Sequence, residues 1–255
     1  EIPLRLVGSE MCIRDSSITD QTQGNWNGIV GKIELQSTPK VFFEDIQIYP
    51  DLAGKKALVR MNVRASSSVN GEITLSAKSF NTDVNHEIAP VYQTVTVRKG
   101  DNLFEMELPM GQDFLIWDEF SPALYRLTAT LKNGKQIETK QIQFGMREFT
   151  INGKWFYING RKTMLRGTVE NCDFPLTGYA PMDVASWERV FRICRSYGLN
   201  HMRFHSYCPP EAAFIAADLV GFYLQPEGPS WPNHGPKLGL SLIHISEPTR
   251  RRGIS

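Results

Sequence analysis

The sequence has no excess of charge of either sign, few cysteines and no long apolar run. Its 255 residues carry 28 lysines and arginines against 27 aspartates and glutamates, and 4 of them are cysteines. A nucleic-acid-binding protein is expected to present a basic stripe, and a disulfide-stabilised scaffold is expected to be rich in cysteine. A membrane-spanning helix needs about 20 consecutive apolar residues. The composition therefore argues against these three classes and favours a globular protein with one large domain or two smaller ones.

Motifs for several common chemistries are also missing. The sequence contains no glycine-rich phosphate-binding loop and no G-x-S-x-G nucleophile elbow, so nucleotide chemistry and serine hydrolysis lose support. Cys172, Cys194 and Cys208 lack the spacing of metal ligands. Cys194 falls on the apolar face of a predicted helix and is interpreted as a core residue. A disulfide between Cys172 and Cys208 is the alternative for the other two.

Both ends of the chain are encoded by one DNA element read from opposite strands. Codons that spell residues 6–16 (LVGSEMCIRDS) also spell residues 240–250 (LSLIHISEPTR) when the reverse complement is read in a shifted frame. Two natural protein segments have no physical reason for this relationship, and the DNA resembles a transposase-type sequencing-library adapter. We therefore assign residues 1–16 and 240–255 to the adapter and exclude them from the interpretation of the fold.

Between these ends, patterns typical of strands come first. Residues 17–38 contain the turn signal Asn27-Gly28 and alternating apolar positions, which predict the last hairpin of a domain. Residues 39–145 contain about seven short runs with a period of two, such as residues 59–63 (VRMNV), separated by turn residues. This spacing predicts an immunoglobulin-like β-sandwich, without the Cys and Trp spacing of antibody domains.

After Gly145 the sequence begins with another hairpin. Residues 155–158 and residues 163–167 are predicted to pair as two strands around the turn signal Asn159-Gly160. A loop and a helix are expected to follow this hairpin.

The rest of the chain alternates between helix and strand patterns. Asp183 is a candidate N-cap for a helix whose apolar residues recur every three or four positions as far as Gly198. A strand at 199–205, a second helix from Pro209 to Gly221 and a strand at 222–225 are predicted next. Strand, helix, strand, helix, strand is the opening of a parallel (β/α)8 barrel, so residues 146–239 are predicted to form the truncated start of a TIM barrel.

Polar residues follow all three predicted barrel strands. The reacting and binding groups of such barrels lie at the C-terminal ends of the strands, where neighbouring side chains converge. These positions hold Glu170 and Asn171 after the first strand, Arg203 and His205 after the second, and Glu227 and Trp231 after the third.

Each of these candidates has a functional and a structural interpretation. Arg203 is suited to bind a carboxylate or a sugar hydroxyl, or else forms an ion pair that braces the barrel. His205 is suited to bind a sugar hydroxyl, or else is a structural histidine. Glu227 is suited to accept hydrogen bonds from substrate hydroxyls, to bind a cation or to orient Arg203. Trp231 offers a face for stacking on a sugar, or else packs in the core, whereas Asn171 is supported by its position alone.

Several segments resemble glycoside hydrolase family 2, the β-galactosidase and β-glucuronidase family. They are DQTQGNWNGIVGKIEL, SPALYRLTATL, FGMREF, FYINGRKTMLRGT and GLNHMRFHSYCPPEAAFIAADLVGFYLQPE. The resemblance covers residues 17–239. It implies the end of a jelly-roll sugar-binding domain at 17–38, an immunoglobulin-like sandwich at 39–145 and a partial TIM-barrel catalytic domain at 146–239.

The resemblance implies a retaining glycosidase that hydrolyses O-glycosidic bonds of oligosaccharides or polysaccharides. Enzymes of this family use two glutamates on later barrel strands, and both positions lie beyond this chain. No residue of the chain is therefore assigned a catalytic role, and the chain alone is expected to be inactive. Asn171, Arg203, His205 and Glu227 correspond by position to residues that face the substrate.

The sequence departs from the family pattern at two strand ends. Residues 203–206 read Arg-Phe-His-Ser where the family commonly has Arg-x-Ser-His, and residues 225–227 read Gln-Pro-Glu where it commonly has Asp-Glu at the strand end. The prediction therefore includes no metal site and no cofactor, and it leaves the sugar open.

The predicted partner is a carbohydrate substrate, with no nucleic acid and no membrane span. The oligomeric state is left open, and so is the compartment, although a periplasmic or extracellular location suits an enzyme that degrades polysaccharides. The alternative function is that of a non-catalytic carbohydrate-binding β-sandwich protein.

Overall fold

The computed structural model describes five stretches of the chain, namely residues 4–5, 33–171, 173–174, 176–205 and 207–227. The chain divides into two compact units, one formed by Ser37–Met164 and the other containing the described residues after Met164. Two short strands, β1 (Leu4–Arg5) and β2 (Glu34–Leu35), pair antiparallel. The predicted hairpin within 17–38 lies mostly outside the described residues, and so do the segments assigned to the adapter apart from Leu4–Arg5.

A β-sandwich of seven antiparallel strands makes up most of the first unit. The strands are β3 (Val41–Asp51), β4 (Lys56–Ala65), β5 (Val69–Phe80), β6 (Glu87–Val97), β7 (Gly100–Pro109), β8 (Leu124–Asn133) and β9 (Gln136–Phe144). One sheet has the order β3-β4-β7 and the other has the order β6-β5-β8-β9. The fourth strand of the sandwich thus pairs with the third, whereas in constant-type immunoglobulin domains it belongs to the opposite sheet.

The sandwich core follows the period of two that the sequence shows. Alternate residues of β4, β5 and β8 are buried in one cluster, among them Val59, Met61, Ile73, Leu75, Leu127 and Ala129. The intervening residues face solvent, and on β4 they pair with acidic side chains of β7, as Arg60 does with Glu105 at 2.7 Å. The predicted sandwich is confirmed.

A buried tyrosine joins two segments of this unit. The Tyr125 hydroxyl accepts a hydrogen bond from the backbone N–H of Leu115 at 2.8 Å and lies 2.7 Å from Nδ1 of His86. Burial raises the pKa of this hydroxyl. In the tyrosine corner of β-sandwiches, a tyrosine near the start of a strand likewise forms a hydrogen bond with the backbone upstream of it.

The last part of the first unit is a small antiparallel sheet, here called the hairpin sheet. Its strands are β10 (Phe149–Asn152), β11 (Trp155–Ile158) and β12 (Arg161–Thr163). Asn159 and Gly160 between β11 and β12 both have positive φ, 51° and 74°, as a two-residue turn of type I′ requires.

The predicted second strand at 163–167 is wrong in its bounds. The turn places Arg161 directly opposite Ile158, so β12 starts at Arg161 and ends at Thr163. Asn159 also anchors the turn, because its side chain accepts a hydrogen bond from the Glu148 N–H at 2.8 Å and donates one to the Trp117 carbonyl at 3.0 Å.

The second unit alternates strands and helices. Its elements are β13 (Gly167–Glu170), α1 (Val184–Ser196), β14 (His201–Phe204), α2 (Glu211–Val220) and β15 (Tyr223–Gln225). The three strands form a parallel sheet in the order β13-β14-β15. From α1 onward the order of helices and strands is as predicted, although β14 and β15 are shorter than the strands expected at 199–205 and 222–225. The first parallel strand, β13, is a separate strand that follows β12, and Glu170 is its last residue, whereas Glu170 was expected to follow a strand at 163–167. Neither helix in the described residues is long and apolar enough to cross a membrane.

The helix boundaries follow from local chemistry. Asp183 caps α1, because its carboxylate accepts a hydrogen bond from the Ser186 N–H at 2.8 Å. Gly198 and Gly221, which follow α1 and α2, have φ values of 80° and 75°, a left-handed conformation that a glycine adopts without strain. Arg195 in the last turn of α1 donates to the carbonyl of Val220 at 2.7 Å and so connects the two helices.

Candidate functional site

The parallel sheet of the second unit has two chemically different faces. Met202 and Phe204 of β14 are buried in an apolar cluster with the helix residues Trp187 and Phe191. Because side chains of a strand alternate between faces, Arg203 lies on the opposite face. This face carries the polar residues of β14 and β15, and it is the face on which the candidate site lies.

The centre of this face is an ion pair between two predicted site residues. Nε of Arg203 donates to Oε1 of Glu227 at 2.5 Å, and the side chains are 38% and 20% exposed. The backbone N–H of Glu227 donates to the carbonyl of Tyr207 at 3.2 Å, which ties the residues after β15 to those after β14. The interpretation in which Glu227 orients Arg203 therefore matches the observed contact.

Two further predicted residues lie at the same edge of the sheet. The backbone N–H of His205 donates to the carbonyl of Glu170 at 2.8 Å, which extends the pairing of β13 and β14 by one residue. The His205 side chain is partly exposed, and Asn171, which follows β13, is exposed. Asn171, Arg203, His205 and Glu227 thus lie at the C-terminal edge, and their role as substrate-binding residues stays a prediction. Trp231 lies outside the described residues.

A buried histidine at the opposite end of β14 was not anticipated. His201 is buried, its Nε2 has no hydrogen-bond partner among the described residues, and burial lowers the pKa of its imidazole. Its neighbour on β13 is Gly167, where an added Cβ would lie 2.4 Å from Nδ1 of His201. The glycine at the start of β13 is the sequence signal for this close approach.

Tyr207 is a second residue that sequence reasoning missed. Its ring packs edge-on against Phe204 with 5.5 Å between centroids, and its hydroxyl is buried with no hydrogen-bond partner in the part of the chain that the structure describes. Its backbone carbonyl receives the hydrogen bond from Glu227, so the packing of Tyr207 helps to position the Arg203–Glu227 ion pair.

Two of the cysteines lie in the second unit among the described residues. Cys194 and Cys208 are both partly buried thiols, and burial raises the pKa of Cys194. Cys172 lies outside the described residues, so the alternative of a disulfide with Cys208 stays a prediction. Within the described ranges, no group of three His, Cys, Asp or Glu side chains is arranged to hold a metal ion.

Residues 41–147, which include the sandwich and the first residues after it, match the model of a known protein family. This range matches the family described as glycosyl hydrolases family 2. Over this range the chain is similar to glycosyl hydrolases of family 2. Curated relatives and solved structures are similar over longer stretches of the chain, which include part of the second unit.

One curated relative is a β-galactosidase of Thermoanaerobacterium thermosulfurigenes. It is 30% identical over 131 residues, which make up 51% of this chain and 18% of that protein. A β-galactosidase of Oenococcus oeni is 22% identical over 84% of this chain and 21% of its own length. The crystal structure of a Parabacteroides merdae β-glucuronidase matches with a TM-score of 0.59 and 25% identity over 75% of this chain and 24% of that one. The chain thus spans a quarter or less of these relatives.

Proposed function

We propose that the chain is part of a retaining glycoside hydrolase that cleaves O-glycosidic bonds of oligosaccharides or polysaccharides. The relatives that it matches are named as β-galactosidases and β-glucuronidases. The observation that carries the proposal is the Arg203–Glu227 ion pair, on the face of the parallel sheet that points away from the helices. An ion pair at this place presents both hydrogen-bond donors and acceptors to a sugar.

In this proposal the second unit is the beginning of a (β/α)8 barrel. Three parallel strands connected by helices on one side correspond to the first strands of such a barrel, and β13 and β15 are the edges of the described sheet. The ends of these strands after residues 170, 204 and 225 would then form part of the C-terminal rim. The proposal also includes the domain boundaries. The end of a jelly-roll domain lies at 17–38, a sandwich at 39–145 and the barrel from 146 onward.

The proposed roles follow from the donors and acceptors of each side chain. Arg203 donates to Glu227 through Nε, and a guanidinium carries five N–H donors, the kind of group that binds sugar hydroxyls or a carboxylate. The Glu227 carboxylate is of the kind that accepts hydrogen bonds from hydroxyls. His205 and Asn171 add an imidazole and an amide from the neighbouring rim positions. Trp231, which lies outside the described residues, is proposed to stack on a sugar ring.

The two catalytic glutamates are proposed to lie on later strands, outside this chain. Retaining hydrolysis needs an acid/base and a nucleophile about 5–5.5 Å apart, flanking the scissile bond. Glu227 forms its short contact with the Arg203 guanidinium, which suits a carboxylate that accepts hydrogen bonds from hydroxyls. The chain alone is therefore expected to bind sugar weakly and to catalyse no hydrolysis.

The test is to recover the DNA on both sides of residues 17–239, express the intact product and assay aryl β-galactosides, β-glucuronides and β-galacturonides. We expect hydrolysis of at least one of them with retention of the anomeric configuration by NMR, and none by the 255-residue chain. Glu227→Gln in the intact enzyme should lower kcat/KM by at least about tenfold, because a charged hydrogen bond is lost. Glu188→Gln, a change on the helix α1, is the matched control. An inactive intact product, or turnover by the chain alone that Glu227→Gln abolishes, contradicts the proposal.

A further inference from the structure

One face of the hairpin sheet combines aromatic, amide and ammonium groups. Register and alternation place Asn152 of β10, Trp155 and Tyr157 of β11 and Lys162 of β12 on this face. Asn152 is paired with Trp155, and Tyr157 is paired with Lys162. Because Trp155 and Tyr157 are two residues apart on one strand, their rings are neighbours separated by about 6.6 Å along the strand.

The Trp155 ring lies near two lysines. Nζ of Lys162 is 3.3 Å from the ring centroid and Nζ of Lys154 is 5.4 Å from it, and the tryptophan is 36% exposed. Neither lysine forms an ion pair with any described residue, whereas Lys56 of the sandwich is paired with Glu107. Two ammonium groups at one exposed ring therefore leave positive charge available to a ligand.

We propose that this face is a glycan-binding site, separate from the rim of the parallel sheet, that takes segments containing uronic acid. The proposal rests on the proposed function, since it assumes that the protein acts on carbohydrate. The C–H face of a pyranose ring is apolar and stacks on an exposed indole, while a uronate carboxylate needs a cation. The long, flexible lysine side chain lets Lys162 move from the ring to the carboxylate when a sugar takes its place.

The same groups predict which sugars this site prefers. A neutral sugar would use only the Trp155 ring and the Asn152 amide, and it would displace a cation–π contact without replacing it. A uronate recovers that interaction as an ion pair with Lys154 or Lys162. The site should therefore prefer charged over neutral oligosaccharides, and the preference should weaken with salt because both lysines are exposed.

The test measures binding of a galacturonate hexasaccharide and of a neutral galactose hexasaccharide to the 255-residue chain by calorimetry at low and high salt. Trp155→Ala should weaken uronate binding by about tenfold or more, which corresponds to the loss of one stacking and cation–π contact. The double change Lys154→Gln and Lys162→Gln leaves the ring in place and should remove the preference for the charged sugar. The matched controls are Tyr92→Ala and Lys99→Gln, at exposed positions in the sandwich.

Parent-like uronate binding by Trp155→Ala or by the double lysine variant overturns the proposal. So does equal binding of a thymidine hexanucleotide, because the site would then select charge and not sugar. Glu227→Gln separates this proposal from the proposed function, since it should leave binding at the hairpin sheet unchanged. Conversely, Trp155→Ala in the intact product should leave kcat/KM for a small aryl glycoside unchanged. An intact product that binds polyuronate but hydrolyses no glycoside contradicts the proposed function alone.

Discussion

Removing the Tyr125 hydroxyl tests how the sandwich unit is held together. In Tyr125→Phe the ring keeps its stacking on Phe144, with 5.5 Å between centroids, and its edge contact with His86. The change therefore removes only the acceptor of the Leu115 N–H and the contact with His86 Nδ1. A buried donor that loses its acceptor costs about 1–3 kcal/mol, so we expect the unfolding free energy of this unit to fall by about 2 kcal/mol.

Tyr49→Phe is the matched control for this prediction. The Tyr49 hydroxyl donates to the Gln47 side chain at 2.6 Å, but it lies at an exposed position where water replaces the lost partner. The expected change in unfolding free energy is within about 0.5 kcal/mol.

The assay is hydrogen exchange by mass spectrometry on peptides from β4 and β8, which reports the opening of the sandwich without contribution from the second unit. Equal protection in Tyr125→Phe and Tyr49→Phe would refute the assigned role of the buried hydroxyl.

Three further changes concern the second unit. Gly167→Ala should destabilise it by about 1–3 kcal/mol, because the new Cβ would lie 2.4 Å from Nδ1 of His201, and a second substitution His201→Ala should recover part of the loss in urea unfolding. Burial lowers the pKa of His201, so the unfolded chain binds a proton more readily, and the urea midpoint should fall as pH drops below the ordinary histidine value of 6.5. This dependence should be smaller in His201→Leu, and an unchanged dependence would count against the assignment. Arg195→Ala removes the hydrogen bond to the end of α2 and should increase amide exchange there, whereas Arg192→Ala, at an exposed position on α1, should not.

Patterns that depend on neighbours in sequence were predictable. The period of two in residues 59–63 marks a buried strand because one side of each sandwich sheet faces the core. Asp183 and Gly221 mark helix ends because capping chemistry is local. The position of Arg203 and Glu227 at one edge follows from the rule that parallel strands end on the same side of a sheet.

Contacts between distant segments were not predictable. Nothing near Tyr125 in the sequence identifies the Leu115 N–H as its partner, because that contact depends on how a loop returns to the strand. The burial of His201 depends on its pairing with Gly167, which lies 34 residues earlier in the sequence on the neighbouring strand. The wrong bounds of β12 have a local cause, since the two-residue turn starts the returning strand immediately at Arg161.

The central claim is that the rim around the Arg203–Glu227 ion pair binds the substrate of a glycosidase. The most direct measurement is a crystal structure of the intact product with a bound monosaccharide product or an unreactive glycoside. We predict that sugar hydroxyls or a sugar carboxylate lie within hydrogen-bond distance of the side chains of Arg203, His205 and Glu227. A sugar bound in the catalytic centre without contact to any of these three side chains would contradict the claim.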